Sequence, residues 1–143
     1  MGLSLNIRIN DGRREIFDPV RKKFVALTPE EYVRQQIILY LANEKGYPIG
    51  LLKVETVLSL NGMTKRTDVM VHDKAGNPLM IVECKAESVQ LTQAVFDQLA
   101  CYNLKFNVPY LLATNGSKHY CCILDFKQST YVFLKEIPHY KDL

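Results

Sequence analysis

Residues 79–85 form a strand pattern that ends on charged side chains. The run begins with apolar residues and reaches Glu83 and Lys85, which occupy alternate positions. Because successive side chains of a strand point to opposite faces, Glu83 and Lys85 project from the same face. The run therefore predicts a strand whose end presents an acid and a base on one surface.

A second strand pattern lies upstream, at residues 66–72, and contains Asp68 as its only acid. The segment between the two runs, residues 73–78, holds the glycine, asparagine and proline that are typical of a turn. We therefore expect two antiparallel strands in which Asp68 faces Glu83.

Two carboxylates on neighbouring strands repel each other, and burying them is unfavourable unless a cation neutralises them. Oxygen ligands suit a hard ion such as Mg²⁺, which binds through one or two carboxylates, waters and substrate phosphate oxygens. The ammonium of Lys85 can then orient or deprotonate an attacking water and offset the charge of a phosphorane-like transition state. Asp68, Glu83 and Lys85 together indicate metal-dependent phosphodiester hydrolysis.

These three residues resemble the core motif of the PD-(D/E)XK nuclease superfamily, an aspartate followed by Glu-x-Lys on the next strand. More narrowly, residues 29–35, 66–68, 82–85, 98–102 and 114–116 resemble the N-terminal nuclease domain of type I restriction enzyme R subunits. Thr67 stands where the superfamily name has proline, which shapes the backbone and donates no ligand. The resemblance implies an α/β, restriction-endonuclease-like core with a central mixed β-sheet flanked by helices.

The resemblance also implies a set of site residues. The catalytic set is Glu31, Asp68, Glu83, Lys85, Gln98 and Tyr102. The implied cofactor is Mg²⁺, with Mn²⁺ as a substitute, held by Asp68, Glu83, the backbone carbonyl of Cys84, and Glu31 either directly or through water.

The implied function is a Mg²⁺-dependent endonuclease acting on DNA. An alternative is a non-catalytic nucleic-acid-binding or assembly module on a nuclease scaffold, since 143 residues leave no room for the helicase motor of an R subunit. An RNA or junction substrate also stays open, because the metal chemistry treats the phosphodiester alike. Expected partners are DNA, a helicase/translocase or other restriction-modification subunits, and a second copy of the chain, since cutting both strands requires two sites.

The composition indicates one domain, residues 1–143, with 48% apolar and 23% charged residues. We expect a strand or hairpin extension at residues 1–27 and a core at residues 28–124. A cytoplasmic location without membrane contact is expected, because the chain lacks a signal pattern and any apolar run of roughly 18 residues. The four cysteines and three histidines have no metal-ligand spacing, and a net charge of +3 does not decide whether nucleic acid is a partner.

Two helices and several further strands complete the expected order of elements. The first helix has Thr28 as its N-cap, a capping box completed by Glu31, and Gly46 as its stop. The second helix is expected at residues 90–106. Further strands are expected at residues 5–9, 53–60, 110–114, 119–124 and 130–134, with a turn at residues 61–62.

Gln98 lies within an apolar stripe of the second helix. The stripe consists of Leu91, Val95, Leu99, Tyr102 and Phe106. Burying an amide without a partner costs about 1 to 3 kcal/mol. We therefore expect Gln98 to hydrogen-bond a catalytic carboxylate, the metal's water or a phosphate, with the Tyr102 hydroxyl directed to the same place.

Each candidate also has an ordinary structural explanation. Glu83 and Lys85 can form an exposed ion pair at a strand end, which contributes about 0 to 1 kcal/mol. Asp68 can be a surface acid, Glu31 a helix cap and Tyr102 a core residue. Arg34 and Gln35, on the same side of the first helix as Glu31, can contact phosphate or water.

Overall fold

The computed structural model describes residues 2–143 and contains eleven strands and two α-helices within them. The strands are β1 (Ile7–Asn10), β2 (Arg13–Asp18), β3 (Lys23–Ala26), β4 (Leu52–Val54), β5 (Val57–Leu60), β6 (Met63–Arg66), β7 (Val69–His72), β8 (Pro78–Cys84), β9 (Tyr110–Thr114), β10 (His119–Asp125) and β11 (Thr130–Phe133). The helices are α1 (Pro29–Lys45) and α2 (Gln93–Asn103), and short 3₁₀ turns lie at Ile49–Leu51, Leu104–Phe106 and Tyr140–Asp142.

Six strands form the central sheet, in the order β11-β10-β9-β8-β7-β4. The pair β8 and β9 is parallel, and the other neighbours are antiparallel. A parallel pair needs a crossover connection, and α2 supplies it between β8 and β9. The expected mixed sheet flanked by helices is confirmed: the chain has a restriction-endonuclease-like α/β fold.

Both faces of the central sheet are buried. The face toward α1 carries Val69, Val71, Met80, Val82 and Leu112. The face toward α2 carries Met70, Ile81, Leu111, Ala113 and Cys122. Burial on both sides explains why these strands read as continuous apolar runs. Glu83 follows Ile81 by two residues, so its side chain leaves the sheet on the α2 side.

The strand expected at residues 53–60 is interrupted at Glu55, whose φ of 57° bends the chain. Before the bend, β4 belongs to the central sheet, and after it β5 forms a separate two-stranded hairpin with β6. The strand expected at residues 66–72 begins only at Val69, and Arg66 instead ends β6. Asp68 therefore lies just before β7 and not within a strand. The expected turn at Asn61 and Gly62 is confirmed.

The N-terminal strands β1, β2 and β3 form a sheet of their own, within the segment predicted as an extension at residues 1–27. The end of the core was placed too early at residue 124. Strand β11 pairs with β10 in the central sheet, and Ile137 is buried on the α1 side. Within residues 2–143 no helix combines the length and apolarity needed to cross a bilayer.

Candidate active site

Asp68 is fixed at the end of the β7–β8 pair by a backbone contact. The antiparallel register pairs Val69 with Val82, and one step further the ladder stops. There Oδ2 of Asp68 accepts a hydrogen bond of 2.7 Å from the N–H of Cys84. The side chain thus replaces a backbone acceptor, which places the acid next to the Glu83–Cys84 peptide. The antiparallel arrangement expected for the two runs is confirmed.

Glu83 is buried, with 6% of its surface exposed. Its Oε1 forms an ion pair with Nζ of Lys65 on β6, and the two side chains are 8% and 10% exposed. This contact neutralises the charge of the buried carboxylate. Buried carboxylates require such a cation. Sequence reasoning missed Lys65, because one lysine in a short polar hairpin strand carries no local signal.

Lys85 is half-buried and anchored through its backbone, whose N–H donates to the carbonyl of Thr114 over 2.9 Å. Across residues 2–143 its ammonium makes no ion pair. The ordinary reading of Glu83 and Lys85 as an exposed ion pair is therefore wrong. Glu83 is buried against a different lysine, and the ammonium of Lys85 is left for another partner.

Arg34 on α1 links two of the expected site acids. Its Nη1 lies 3.1 Å from Oε1 of Glu31, and its Nη2 lies 3.6 Å from Oδ1 of Asp68. Nη1 also lies 3.6 Å from Oε1 of Glu55. The arginine side chain is buried, and its guanidinium lies within ion-pair distance of all three acids. Glu31 and Asp68 are brought together through it.

Glu31 caps α1 only through its backbone. Its N–H donates to Oγ1 of Thr28 over 3.0 Å, but its carboxylate does not return to Thr28 as a capping box requires. The carboxylate instead accepts from Nη2 of Arg21 at 2.8 Å and from Nε2 of Gln35 at 3.0 Å, besides Arg34. Charge-assisted bonds are stronger than a bond to a neutral N–H, which explains this choice.

Arg21, from the turn between β2 and β3, joins the N-terminal sheet to this cluster. It pairs with Asp18, which is fully buried, and with Glu31. Burial lowers the pKa of Arg21, but the hydrogen bonds to Asp18 and Glu31 outweigh it and raise the pKa overall. Sequence reasoning missed this residue, since nothing in the basic run of β2 and β3 distinguishes one arginine from the next.

The expected burial of Gln98 is wrong. Gln98 is exposed and makes no hydrogen bond to another part of the described chain. The buried residues of α2 are Phe96, Ala100 and Asn103, so the packing face is rotated from the expected stripe. Asn103 is the buried amide, and its Nδ2 donates to the carbonyl of Leu99 over 2.7 Å.

Tyr102 is 41% exposed and lies beside the ion pair of Glu83. Nζ of Lys65 is 5.1 Å from the centroid of its ring, within the range of a cation–π contact. The ring also packs at 5.5 Å against Phe106. Tyr102 therefore borders the site through its ring. Within residues 2–143 its hydroxyl makes no hydrogen bond to a carboxylate.

The fit of a divalent cation depends on the donors available near Asp68 and Glu83. No three Asp, Glu, His or Cys side chains of residues 2–143 converge on a metal position. Mg²⁺ needs only one or two carboxylates besides waters and phosphate oxygens. Burial, and then the charge of Asp68, hold the pKa of the Cys84 thiol well above its usual range, so its sulfur is not an available ligand. The oxygen donors present suit a hard ion.

Comparison with known proteins agrees with the fold. Residues 29–138 match the family model described as the type I restriction enzyme R protein N terminus. The chain belongs to this family. No curated protein shows significant similarity to it.

Among solved structures, the chain is similar to an HsdR subunit fragment of a type I restriction enzyme from Vibrio vulnificus YJ016, with a TM-score of 0.50 and 17% identity. The alignment covers 78% of this chain and 24% of that chain. At this identity the likeness shows the fold alone. This chain therefore spans about a quarter of the length of that structure.

Proposed function

We propose that this chain is a Mg²⁺-dependent endonuclease domain that hydrolyses DNA phosphodiester bonds within a restriction-modification system. The observation that carries the proposal is the hydrogen bond of 2.7 Å between Asp68 and the Cys84 N–H. It fixes one acid at the end of β8, which carries Glu83 and is followed directly by Lys85. Membership of the R protein N-terminal family supports the same function.

The proposed metal ligands are Asp68, Glu83 and the backbone carbonyl of Cys84. Glu83 supplies a buried carboxylate, whose Oε1 contacts the ammonium of Lys65 in the absence of metal. Glu31 is proposed to act through water, since three donors already hold its carboxylate. When bound, Mg²⁺ supplies Lewis-acid stabilisation of the charge that develops on the phosphate and lowers the pKa of a water.

The remaining site residues are assigned roles in positioning the water, the acids and the DNA. Lys85 orients the attacking water through Nζ and offsets negative charge as the new P–O bond forms and the leaving P–O bond breaks. Arg34 holds Asp68 and Glu31 in place. Gln98 and Tyr102 lie one helical turn apart and are exposed, so we assign them to contacts with the DNA backbone.

Cleavage of supercoiled plasmid tests this function. We expect the wild type to nick plasmid with Mg²⁺ and not with EDTA, and Asp68→Asn to be inactive in both. The matched control is Glu44→Gln, an exposed acid of α1, which should cleave as the wild type does. Equal nicking by all three proteins in EDTA would indicate contamination and remove the support for an enzyme.

A second candidate is a nucleic-acid-binding or assembly module without catalysis. It is favoured by one observation: protein cations already neutralise both acids, Arg34 beside Asp68 and Lys65 beside Glu83. Fluorescence anisotropy with labelled duplex DNA separates the candidates. Equal affinity in Mg²⁺ and EDTA, with no cleavage by the wild type, would favour the module.

A further inference from the structure

Lys65 brings a second lysine to the candidate site, in addition to the lysine of the Glu-x-Lys pair. Its ammonium contacts Oε1 of Glu83, and neither side chain is more than 10% exposed. The ring of Tyr102 lies 5.1 Å from the same ammonium. A carboxylate and an aromatic face are the two groups that best accommodate a desolvated cation. Lys65 is therefore held as the counter-ion of Glu83.

The strand that carries Lys65 is not part of the central sheet. β6 pairs only with β5, and Lys65 lies opposite Leu58 in that register. Leu58 is partly buried against the core on the α2 side. An isolated two-stranded hairpin has little stability of its own. Lys65 can therefore leave Glu83 without breaking a hydrogen-bond ladder of the central sheet.

Lys65 and a divalent cation compete for the same carboxylate of Glu83. An ammonium in contact with Oε1 lies within a few ångströms of any ion bound by the same carboxylate. In a buried site of low effective dielectric, repulsion between these charges greatly exceeds thermal energy. Binding of a divalent ion by Glu83 is therefore weakened while the ammonium of Lys65 stays in contact with it.

We propose that Lys65 is an internal competitor of the metal, which occupies the cation position at Glu83 and is displaced when a divalent ion binds. This inference rests on the proposed function, because it takes Glu83 as a metal ligand. It makes the affinity of the domain for metal lower than its carboxylates alone would give.

Binding of Mn²⁺, measured by electron paramagnetic resonance without DNA, tests the proposal. Lys65→Met keeps the apolar stem and removes the charge, so we expect the Kd to fall by about tenfold or more. Lys65→Arg should bind Mn²⁺ more weakly than the wild type, because a guanidinium holds a carboxylate through two bonds. The matched control is Lys53→Met, an exposed lysine of β4, which should bind as the wild type does.

Thermal unfolding provides a second readout that also reports folding. Lys65→Met leaves Glu83 without its counter-ion, so its Tm should be lower than that of the wild type without metal. Mn²⁺ should then raise its Tm by more than it raises that of the wild type, since tighter binding stabilises the folded state more.

Two outcomes would overturn the inference in different ways. If the wild type and Lys65→Met bind Mn²⁺ with the same Kd, or Lys65→Arg binds as tightly as the wild type, Lys65 does not compete and the proposed function stands. If none of the proteins binds Mn²⁺, the inference and the metal-dependent function both fail.

Discussion

The carboxylate of Asp68 accepts a hydrogen bond of 2.7 Å from the backbone N–H of Cys84. This bond joins the start of β7 to the end of β8 at the point where the ladder between them stops. An acid in this position has a structural role as well as its proposed role as a metal ligand. The two roles are separable, since only the second requires a negative charge.

Asp68→Asn and Asp68→Ala should differ in stability but not in activity. Asparagine keeps an oxygen that accepts from the Cys84 N–H, whereas alanine leaves that donor unpaired, which costs about 1 to 3 kcal/mol. Both variants lack the charge needed to hold Mg²⁺, so both should fail to cleave plasmid. Urea unfolding gives the stabilities. Equal losses in the two variants would show that the hydrogen bond is unimportant.

The ion pair of Lys65 and Glu83 should behave as a coupled unit. Glu83→Gln or Lys65→Met alone leaves a buried, unpaired charge, and such a loss is about 3 to 5 kcal/mol. The double variant leaves no charge unpaired, so its loss should be clearly smaller than the sum of the single losses. A double-mutant cycle from urea unfolding measures this difference. Additive losses would mean that the two side chains do not interact in solution.

The sequence predicted the fold and the antiparallel pair of β7 and β8 well, because the buried strands carry strong apolar runs. Asp68 and Glu83 were expected together from the two runs and the turn between them. The partners of these acids were not expected. Lys65 and Arg21 reach the site from two hairpins, and Glu55 from the link between β4 and β5. Their contacts depend on tertiary packing that no local pattern encodes.

The exposure of Gln98 shows that the sequence alone did not predict which face of α2 is buried. A stripe of apolar side chains at helical spacing predicted which face of α2 is buried, and the prediction was rotated from the observed face of Phe96 and Ala100. Several faces of this short helix carry apolar residues, so the sequence pattern alone did not select one. The packing of the sheet selected it.

Glu55 should make the stability of the protein depend on pH in the acid range. Partial burial raises the pKa of Glu55, but the charge of Arg34 and then Arg66 outweigh it, so the pKa lies below its ordinary value of 4.5. Because the pKa of Glu55 is lowered on folding, its ion pairs stabilise the folded state at pH values above the ordinary pKa of 4.5. This stabilisation is lost as the pH falls through the folded pKa.

Glu55→Gln is therefore expected to be less stable than the wild type at neutral pH and to converge with it in acid. Urea unfolding across this range gives the difference between the two proteins, which removes the effect of other carboxylates. A difference that stays constant as the pH falls would show that the charge of Glu55 is not the cause.

The cysteines should differ sharply in reactivity. Cys101 is exposed, and the other three thiols are buried. Burial, with the neighbouring Cys122, raises the pKa of Cys121 to about 12, and burial raises that of Cys122 to about 12 as well. A thiol reacts as its thiolate, so only Cys101 should react with a disulfide reagent such as DTNB in the folded protein.

Counting thiols before and after denaturation checks this expectation. The folded wild type should react rapidly with one equivalent of DTNB. The denatured chain should react with four equivalents, one for each cysteine. Cys101→Ser should react with none while folded. Rapid reaction of further equivalents with the folded protein would mean that the sheet around Cys84, Cys121 and Cys122 opens readily.

The position of Mn²⁺ in crystals of the protein, located by its anomalous scattering, shows whether Asp68 and Glu83 form a metal site. We expect an anomalous peak coordinated by the carboxylates of Asp68 and Glu83, with Lys65 moved away from Glu83. A saturated crystal with no peak at these two acids, or with its peak at other carboxylates, would contradict the claim that they form a metal site.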